Sequence, residues 1–185
     1  KKNHTPSQKN MHLFLQIALL VAITLIPALE LRASIPYGIL GRPEWGIDPE
    51  LLPWPSVVLV CVGANIILGF GVFWILMPIM RWLERFAWFN RWIEPILLRM
   101  QKKIHPYVEK YGELGVALFI GVPLPGSGVY TGAVGAFVLG LDKRKFAVAN
   151  VIGVCIAGTA VTIITLAIDA GMKLPWIEWL IKGTH

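Results

Sequence analysis

Long apolar runs, separated by short polar segments, dominate the chain. Four of them have roughly the 20 residues that a helix needs to cross the ~30 Å hydrocarbon core of a bilayer. They run from about His12 to Leu29, Ser56 to Met80, Leu114 to Leu141 and Phe146 to Ile168. The pattern predicts an all-α integral membrane protein in which residues 1–185 form a single membrane domain.

The third run is interrupted at its middle. Leu114–Leu141 contains 28 residues without a charge, but residues 121–128 read Gly-Val-Pro-Leu-Pro-Gly-Ser-Gly. Proline and glycine at this density disfavour one continuous helix. Irregular backbone at membrane depth is tolerated only where protein buries it or where it lines a watery cavity, because hydrocarbon offers its polar groups no partner. We therefore expect two short helices, with a site at the break.

The charges that flank these runs indicate how they cross. The loop Gly41–Pro55 is acidic, whereas Arg81–Glu113 holds seven Lys or Arg residues and four acids. The positive-inside rule places the acidic loop outside and the basic segment in the cytoplasm. A single crossing by Leu114–Leu141 would leave the cluster Lys143–Lys145 outside. A re-entrant hairpin, each arm about half the membrane thickness, keeps that cluster in the cytoplasm.

Two apolar helices carry a similar asparagine motif. Asn65 follows Pro36 by 29 residues, and Asn150 follows Pro123 by 27. A short match of this kind also arises by chance in a chain rich in Val and Ile. The intervening loops, however, have opposite charge, which is typical of the inverted-topology repeat found in many secondary transporters.

The predicted architecture has three parts. Each repeat combines a re-entrant helical hairpin with a transmembrane helix, and a cytoplasmic interfacial amphipathic helix joins the repeats. The first repeat spans 12–80 with its apex near Pro36, the interfacial segment spans 81–112, and the second repeat spans 113–170 with its apex at 121–128. The interleaved aromatic and basic residues of the middle segment are typical of a membrane-surface anchor, and docking of anionic lipid headgroups is the alternative.

Composition and charge narrow the function classes. Only 15% of the residues are charged, against roughly a quarter in soluble domains, and the net charge of +6 comes from residues flanking apolar spans. This distribution argues against a nucleic-acid-binding protein. Cys61 and Cys155 lie in apolar runs, so no disulfide is expected. The four histidines are scattered without ligand spacing, so neither a metal site nor a cofactor is predicted. The sequence has no recognisable catalytic motif, so we do not expect an enzyme.

Glu30 and Arg32 are the most informative charges, because they follow an apolar run directly. A charge near bilayer depth costs on the order of 2.5–3.5 kcal/mol on insertion scales, so such residues usually pair, face water or function. Unwinding near Pro36 would let the two side chains meet. The alternative is that both lie at the outer interface with Arg32 extended toward water.

The second break offers groups suited to an anion. Backbone N–H groups of the glycine-rich stretch would point at a ligand, and a half-helix beginning near Val129 would direct its positive dipole end there. Close packing of small residues between helices is the alternative. We expect Asn65 and Asn150 to bond the broken hairpin backbone. The predicted substrate-binding residues are Arg32, Ser34, Pro36, Pro123, Pro125, Gly126, Ser127, Gly128, Tyr130 and Thr131.

Two segments resemble signature segments of a known family. Residues 26–38, Ile-Pro-Ala-Leu-Glu-Leu-Arg-Ala-Ser-Ile-Pro-Tyr-Gly, and residues 123–132, Pro-Leu-Pro-Gly-Ser-Gly-Val-Tyr-Thr-Gly, resemble those of the small multidrug export protein family. The resemblance covers nearly the whole chain from about Met11. That family looks related to the DedA and VTT-domain superfamily, whose members have two facing re-entrant hairpins. Those members are implicated in moving lipids, including polyprenyl phosphate carriers, across membranes.

The resemblance implies roles for particular residues. Glu30 would match the acid of the first hairpin, a proton-coupling group, and Pro123 and Pro125 would form the apex of the second. DedA proteins carry arginines in and after that apex, whereas Leu114–Leu141 has none. Arg32 or Arg144 would have to substitute.

These observations predict a multi-pass secondary transporter of DedA-like type in the inner (cytoplasmic) membrane. Its transport would be proton-coupled, and its substrate would be amphipathic, either a lipid phosphate such as a polyprenyl phosphate carrier or a hydrophobic drug-like compound. The expected partners are membrane lipids, the substrate and protons. The sequence does not decide between a monomer and a homo-oligomer. The alternatives are a non-transporting scaffold or assembly factor and a lipid-modifying enzyme.

Overall fold

The described part of the protein is helical. A computed structural model describes residues 6–27, 29–83, 85–87, 91, 95, 112–122 and 127–171, and this part contains no strand. The α-helices are α1 (Pro6–Leu25), α2 (Glu30–Leu40), α3 (Trp54–Leu83), α4 (Gly112–Gly121), α5 (Val129–Val138) and α6 (Lys143–Asp169), with a 3₁₀ turn at Pro43–Trp45. The prediction of an all-α protein is confirmed.

Three helices are long and apolar enough to cross a membrane. They are Ser7–Leu25 in α1, Trp54–Met80 in α3 and Lys143–Asp169 in α6. The 27 residues of α6 rise about 40 Å at 1.5 Å per residue, which exceeds the ~30 Å hydrocarbon core. Many large apolar side chains of the described helices face outward, as lipid contact requires. The chain is therefore a membrane protein.

The predicted interruption of the third apolar run is confirmed. Helix α4 ends at Gly121 and α5 begins at Val129, so this run forms two short helices. The helices pack closely where Gly132 meets Ile120, because a Cβ atom on Gly132 would lie 2.4 Å from Ile120 Cγ1. Gly128 precedes α5 with φ 139°, a conformation that side chains rarely adopt.

The first break lies elsewhere than predicted. The chain leaves helical geometry between Leu25 and Glu30, beside Pro27, whereas Pro36 lies inside the continuous helix α2. The expected apex near Pro36 is therefore wrong. The turn is completed by Glu30, which has the left-handed φ of 43°. Pro36 removes one hydrogen bond from α2. The contacts of α2 with α1, α3 and α6 offset that loss.

Each short helix packs on the long helix of the other half of the chain. Helix α2 contacts α6, and α5 contacts α3 to the same extent. The long helices run antiparallel, because Val62 of α3 meets Gly158 of α6 while Gly69 meets Asn150. At one end of this seam the buried rings of Phe73 and Phe146 stack with centroids 4.2 Å apart. Each short helix thus packs against both long helices.

Most of the predicted interfacial segment, 81–112, lies outside the described residues. Its first three residues continue α3 to Leu83. The rings of Trp82 and Phe86 then meet edge to face with centroids 4.7 Å apart.

Helix α6 begins with a carboxylate cap that titrates. The side chain of Asp142 accepts a 2.8 Å hydrogen bond from the Lys145 backbone N–H. This bond lowers the pKa of the Asp142 carboxyl below its ordinary value. The cap therefore stabilises the folded state above the unfolded pKa of about 3.9, and this contribution is lost as pH falls through the lowered pKa.

We expect Asp142→Ala to lower the melting temperature of the purified protein at pH 7, with a smaller difference from wild type as the pH approaches 3. Asp142→Asn, which retains a capping oxygen without a titratable group, serves as the control and should unfold close to wild type at pH 7. Equal melting temperatures for all three proteins at pH 7 would show that the Asp142 cap does not stabilise the protein.

Candidate functional site

Glu30 belongs to the break between α1 and α2, but its carboxylate lies at the break between α4 and α5. Glu30 is the first residue of α2, and its side chain is only 5% exposed. Its Oε2 accepts a hydrogen bond of 3.2 Å from the backbone N–H of Val129, the first residue of α5. One buried acid thus joins the two breaks across 99 residues of sequence.

The start of α5 provides a favourable environment for this charge. The first N–H groups of a helix have no partner within the helix, and together with its dipole they attract an anion. Gly128 makes the approach possible, because a Cβ atom there would lie 2.6 Å from Oε2 and 2.7 Å from Oε1 of Glu30. The sequence prediction placed an external anion at this helix end. In the structure, the protein's own carboxylate occupies it.

Arg32 also binds the second break. Its Nη2 donates to the hydroxyl oxygen of Ser127 at 2.7 Å and more weakly to the carbonyl of Val122 at 3.4 Å. The Ser127 hydroxyl donates in turn to the Val122 carbonyl. Glu30 and Arg32 attract each other electrostatically, yet each makes its hydrogen bonds with the opposite break. The Nη1 atom of Arg32 is buried without a hydrogen-bond partner.

Three further predicted residues lie around this contact. The Tyr130 hydroxyl donates to the carbonyl of Leu25, the last residue of α1, at 2.6 Å. Ser34 is buried, and its hydroxyl bonds the Glu30 carbonyl at 3.1 Å. Thr131 is exposed, with its hydroxyl 3.4 Å from the Gly128 carbonyl. Tyr130 therefore adds a third link between the breaks.

The remaining predicted residues contribute less to the described site. Pro36 lies inside α2, nearly two turns beyond Glu30. Pro123, Pro125 and Gly126 lie outside the described residues. The site at the two breaks is thus made by Glu30, Arg32, Ser127, Gly128, Val129 and Tyr130. Val129 was predicted as a helix start, and its role as the partner of Glu30 was missed because no local pattern pairs residues so far apart.

Both predicted asparagines are buried, and a hydrogen bond to another helix is observed for Asn150. Asn150 is fully buried, and its Nδ2 donates to the carbonyl of Ile66 in α3 at 3.0 Å. The expected bond to hairpin backbone is therefore wrong for Asn150. Asn65 is also buried, and its Oδ1 has no partner among the described residues. Gly69 lets Asn150 approach, because a Cβ atom there would lie 2.2 Å from Asn150 Oδ1.

Gly69→Ala should therefore separate α3 from α6. Overpacking of a close contact typically costs about 1–3 kcal/mol, so we expect a clear fall in melting temperature. Gly71→Ala is a matched control, because it lies on the same helix with open space at its Cβ position. Equal melting temperatures for both variants, measured by thermal unfolding in detergent, would contradict the close packing at Gly69.

Redox and metal chemistry have few candidate groups in the described structure. Cys61 is buried and Cys155 exposed, and both are free thiols. Among the described residues, no three His, Cys, Asp or Glu side chains are grouped so that they could hold a metal ion.

The comparison with known proteins agrees with this membrane architecture. A family model described as putative small multi-drug export protein matches residues 30–160, which include both α2 and α5 and therefore the contact between Glu30 and Val129. No curated protein and no solved structure matches the chain. The chain belongs to the putative small multi-drug export protein family.

Proposed function

We propose that the protein is a secondary transporter that exports an amphipathic, drug-like compound in exchange for protons. The observation that carries this proposal is the carboxylate of Glu30, buried at the start of α5 and held by one backbone N–H group. A charge at membrane depth is costly and usually functional. In this proposal the Glu30 carboxyl group takes up and releases the proton at the contact between the two breaks.

The contact between α6 and the end of α4 supports a site near the middle of the membrane. Gly153 of α6 packs on Ile120 at the end of α4, and it lies ten residues, about 15 Å, from the start of α6 at Lys143. That distance is half the ~30 Å hydrocarbon core. We infer that α4 and α5 enter to mid-depth and return. Helix α2 likewise folds back along α1, where Gly38 lies against Leu20, although α1 is long enough to cross the membrane.

The packing also supports an inverted repeat. In this interpretation α1–α2–α3 correspond to α4–α5–α6, because the short helices have 11 and 10 residues and the long ones 30 and 27. Each short helix packs on the long helix of the other half. Ile26-Pro27 and Val122-Pro123 directly follow the ends of α1 and α4. Two such halves meeting at mid-depth suit alternating access.

Charge balance predicts the direction of coupling. Because Glu30 already occupies the helix end, the ionised site presents a carboxylate to the substrate. A hydrophobic cation would bind ionised Glu30 in competition with a proton, which gives antiport. A lipid phosphate would need neutral Glu30 and the guanidinium of Arg32, which gives symport. The family description favours the drug-like substrate.

We place the protein in the cytoplasmic membrane with several crossings. The start of α6, with Lys143–Lys145 exposed, would face the cytoplasm because short cytoplasmic loops are enriched in cations. The acidic loop between α2 and α3 would then lie outside. Substrate would bind between the two breaks, and transport would need neither a cofactor nor a chemical step.

Proton movement in sealed vesicles tests this function. Purified protein would be reconstituted with a pH-sensitive dye inside, and an outward gradient of tetraphenylphosphonium or of a polyprenyl phosphate would be applied. Export in exchange for protons predicts proton entry driven by the cation. Proton movement together with the polyprenyl phosphate would replace drug export by lipid transport. Neither movement, in vesicles that contain folded protein, would favour the non-transporting scaffold.

A further inference from the structure

Three consecutive cations form an exposed cluster at the start of α6. Lys143, Arg144 and Lys145 are all exposed, and Nζ of Lys143 lies 5.5 Å from the ring centroid of Trp74 in α3. Trp74 is itself 66% exposed. The buried rings of Phe73 and Phe146, which neighbour Trp74 and Lys145 in the sequence, stack and hold α3 against α6. We name the three cations and Trp74 the basic platform.

The level of the basic platform follows from tryptophan spacing. Trp54 and Trp74 lie at exposed positions of α3, 20 residues apart. At 1.5 Å per residue they are about 30 Å apart, the thickness of the hydrocarbon core. Tryptophan is enriched at membrane interfaces. Trp74 and the Lys143 ammonium above it therefore lie at the headgroup level of one leaflet.

The electrostatics of the basic platform call for an external anion. A helix start attracts negative charge, yet the first turn of α6 contains no acid and three cations. Within the described part of the chain, the acid that interacts with them is Asp142, which attracts Arg144 and Lys145. Asp142 is occupied in capping the helix. Three cations beside one carboxylate leave a net positive charge here, which an anion of the surrounding leaflet would balance.

We propose that the basic platform binds the phosphate headgroup of an anionic phospholipid in the leaflet where α6 begins. The Lys143 ammonium beside Trp74 and the neighbouring Arg144 guanidinium suit phosphate, and Lys145, two positions from Lys143, adds charge from another side of the helix. The acyl chains lie along the lipid-facing side of α3, where Ile67 is exposed two turns from Trp74 on the same face. The site is about 15 Å from the level of the two breaks and does not depend on transport.

Native mass spectrometry of detergent-purified protein tests this site. Phosphatidylglycerol should bind more tightly than phosphatidylcholine. An attraction of about 1 kcal/mol per cation predicts about fivefold weaker phosphatidylglycerol binding for Arg144→Gln and about a hundredfold for the triple variant K143Q/R144Q/K145Q. The matched control is Arg42→Gln, which removes an exposed cation from the acidic loop and should leave binding unchanged.

Two checks keep the result interpretable. Arg144→Lys retains the charge and should bind phosphatidylglycerol within about twofold of wild type. Asp142 is unchanged in all variants, so the α6 cap remains, and thermal unfolding reports whether each variant is folded. Equal binding of the two lipids, an unchanged affinity in the folded triple variant, or the same loss in Arg42→Gln would overturn the proposal.

Discussion

Glu30→Gln is expected to abolish proton-coupled transport while the protein stays folded. The amide oxygen of Gln can still accept the Val129 N–H bond, but the side chain no longer binds or releases a proton. Because the hydrogen bond to Val129 is retained, the loss of stability should not exceed about 1 kcal/mol. In reconstituted vesicles, coupled flux should fall to the level of protein-free vesicles at every pH at which the wild type is active.

The matched control is Glu44→Gln, which removes an exposed acid from the loop that precedes α3. It should transport like the wild type and keep the same pH profile. If Glu30→Gln retained both the flux and its pH dependence, Glu30 would have no role in coupling. A variant that still carried the cation but moved no protons would retain Glu30 as the coupling group and would contradict direct competition between the cation and the proton at Glu30.

Gly128→Ala is expected to disable the site through the backbone. With φ at 139°, a side chain at position 128 is strained by about 1–3 kcal/mol. The added Cβ also overlaps the Glu30 carboxyl group, so the hydrogen bond to Val129, worth roughly 1 kcal/mol, would be lost. The melting temperature in detergent should fall markedly, and transport should be lost.

Gly135→Ala is the control for this substitution, because it lies in the same helix with open space around its Cβ position. Alanine there should be neutral or slightly stabilising. The double variant Glu30→Ala with Gly128→Ala separates the two causes. In the Glu30→Ala background, Gly128→Ala adds only backbone strain. The stability losses of the two single variants should therefore sum to more than the loss of the double variant. Full additivity would contradict contact between these residues.

Local features of the sequence predicted much of the architecture. Hydropathy alone indicated the membrane class, and the Pro/Gly-rich stretch correctly indicated two short helices with α5 beginning at Val129. The prominence of Glu30 followed from the cost of a charge in an apolar context. These predictions succeeded because they rest on solvation and backbone preferences that act over a few residues.

The errors arose where tertiary contacts decide. Pro36 was expected to break α2, but the packing of α2 tolerates it, and the chain turns at Pro27 and the left-handed Glu30. Asn150 was expected to bond a hairpin, yet it bonds Ile66 across the long-helix seam. The contact between Glu30 and Val129 joins residues 99 positions apart. An external anion was predicted at the start of α5, and the Glu30 carboxyl group lies there in the structure.

The central claim is that substrate binding exchanges with the proton on Glu30. Infrared difference spectroscopy of purified protein in nanodiscs, with and without tetraphenylphosphonium, measures the protonation of the carboxyl group directly. We predict that the cation removes a protonated-carboxyl band in the wild type and in Glu44→Gln, and that this change is absent in Glu30→Gln. The same band change in Glu30→Gln, or no carboxyl change in the wild type under saturating binding, would contradict the account.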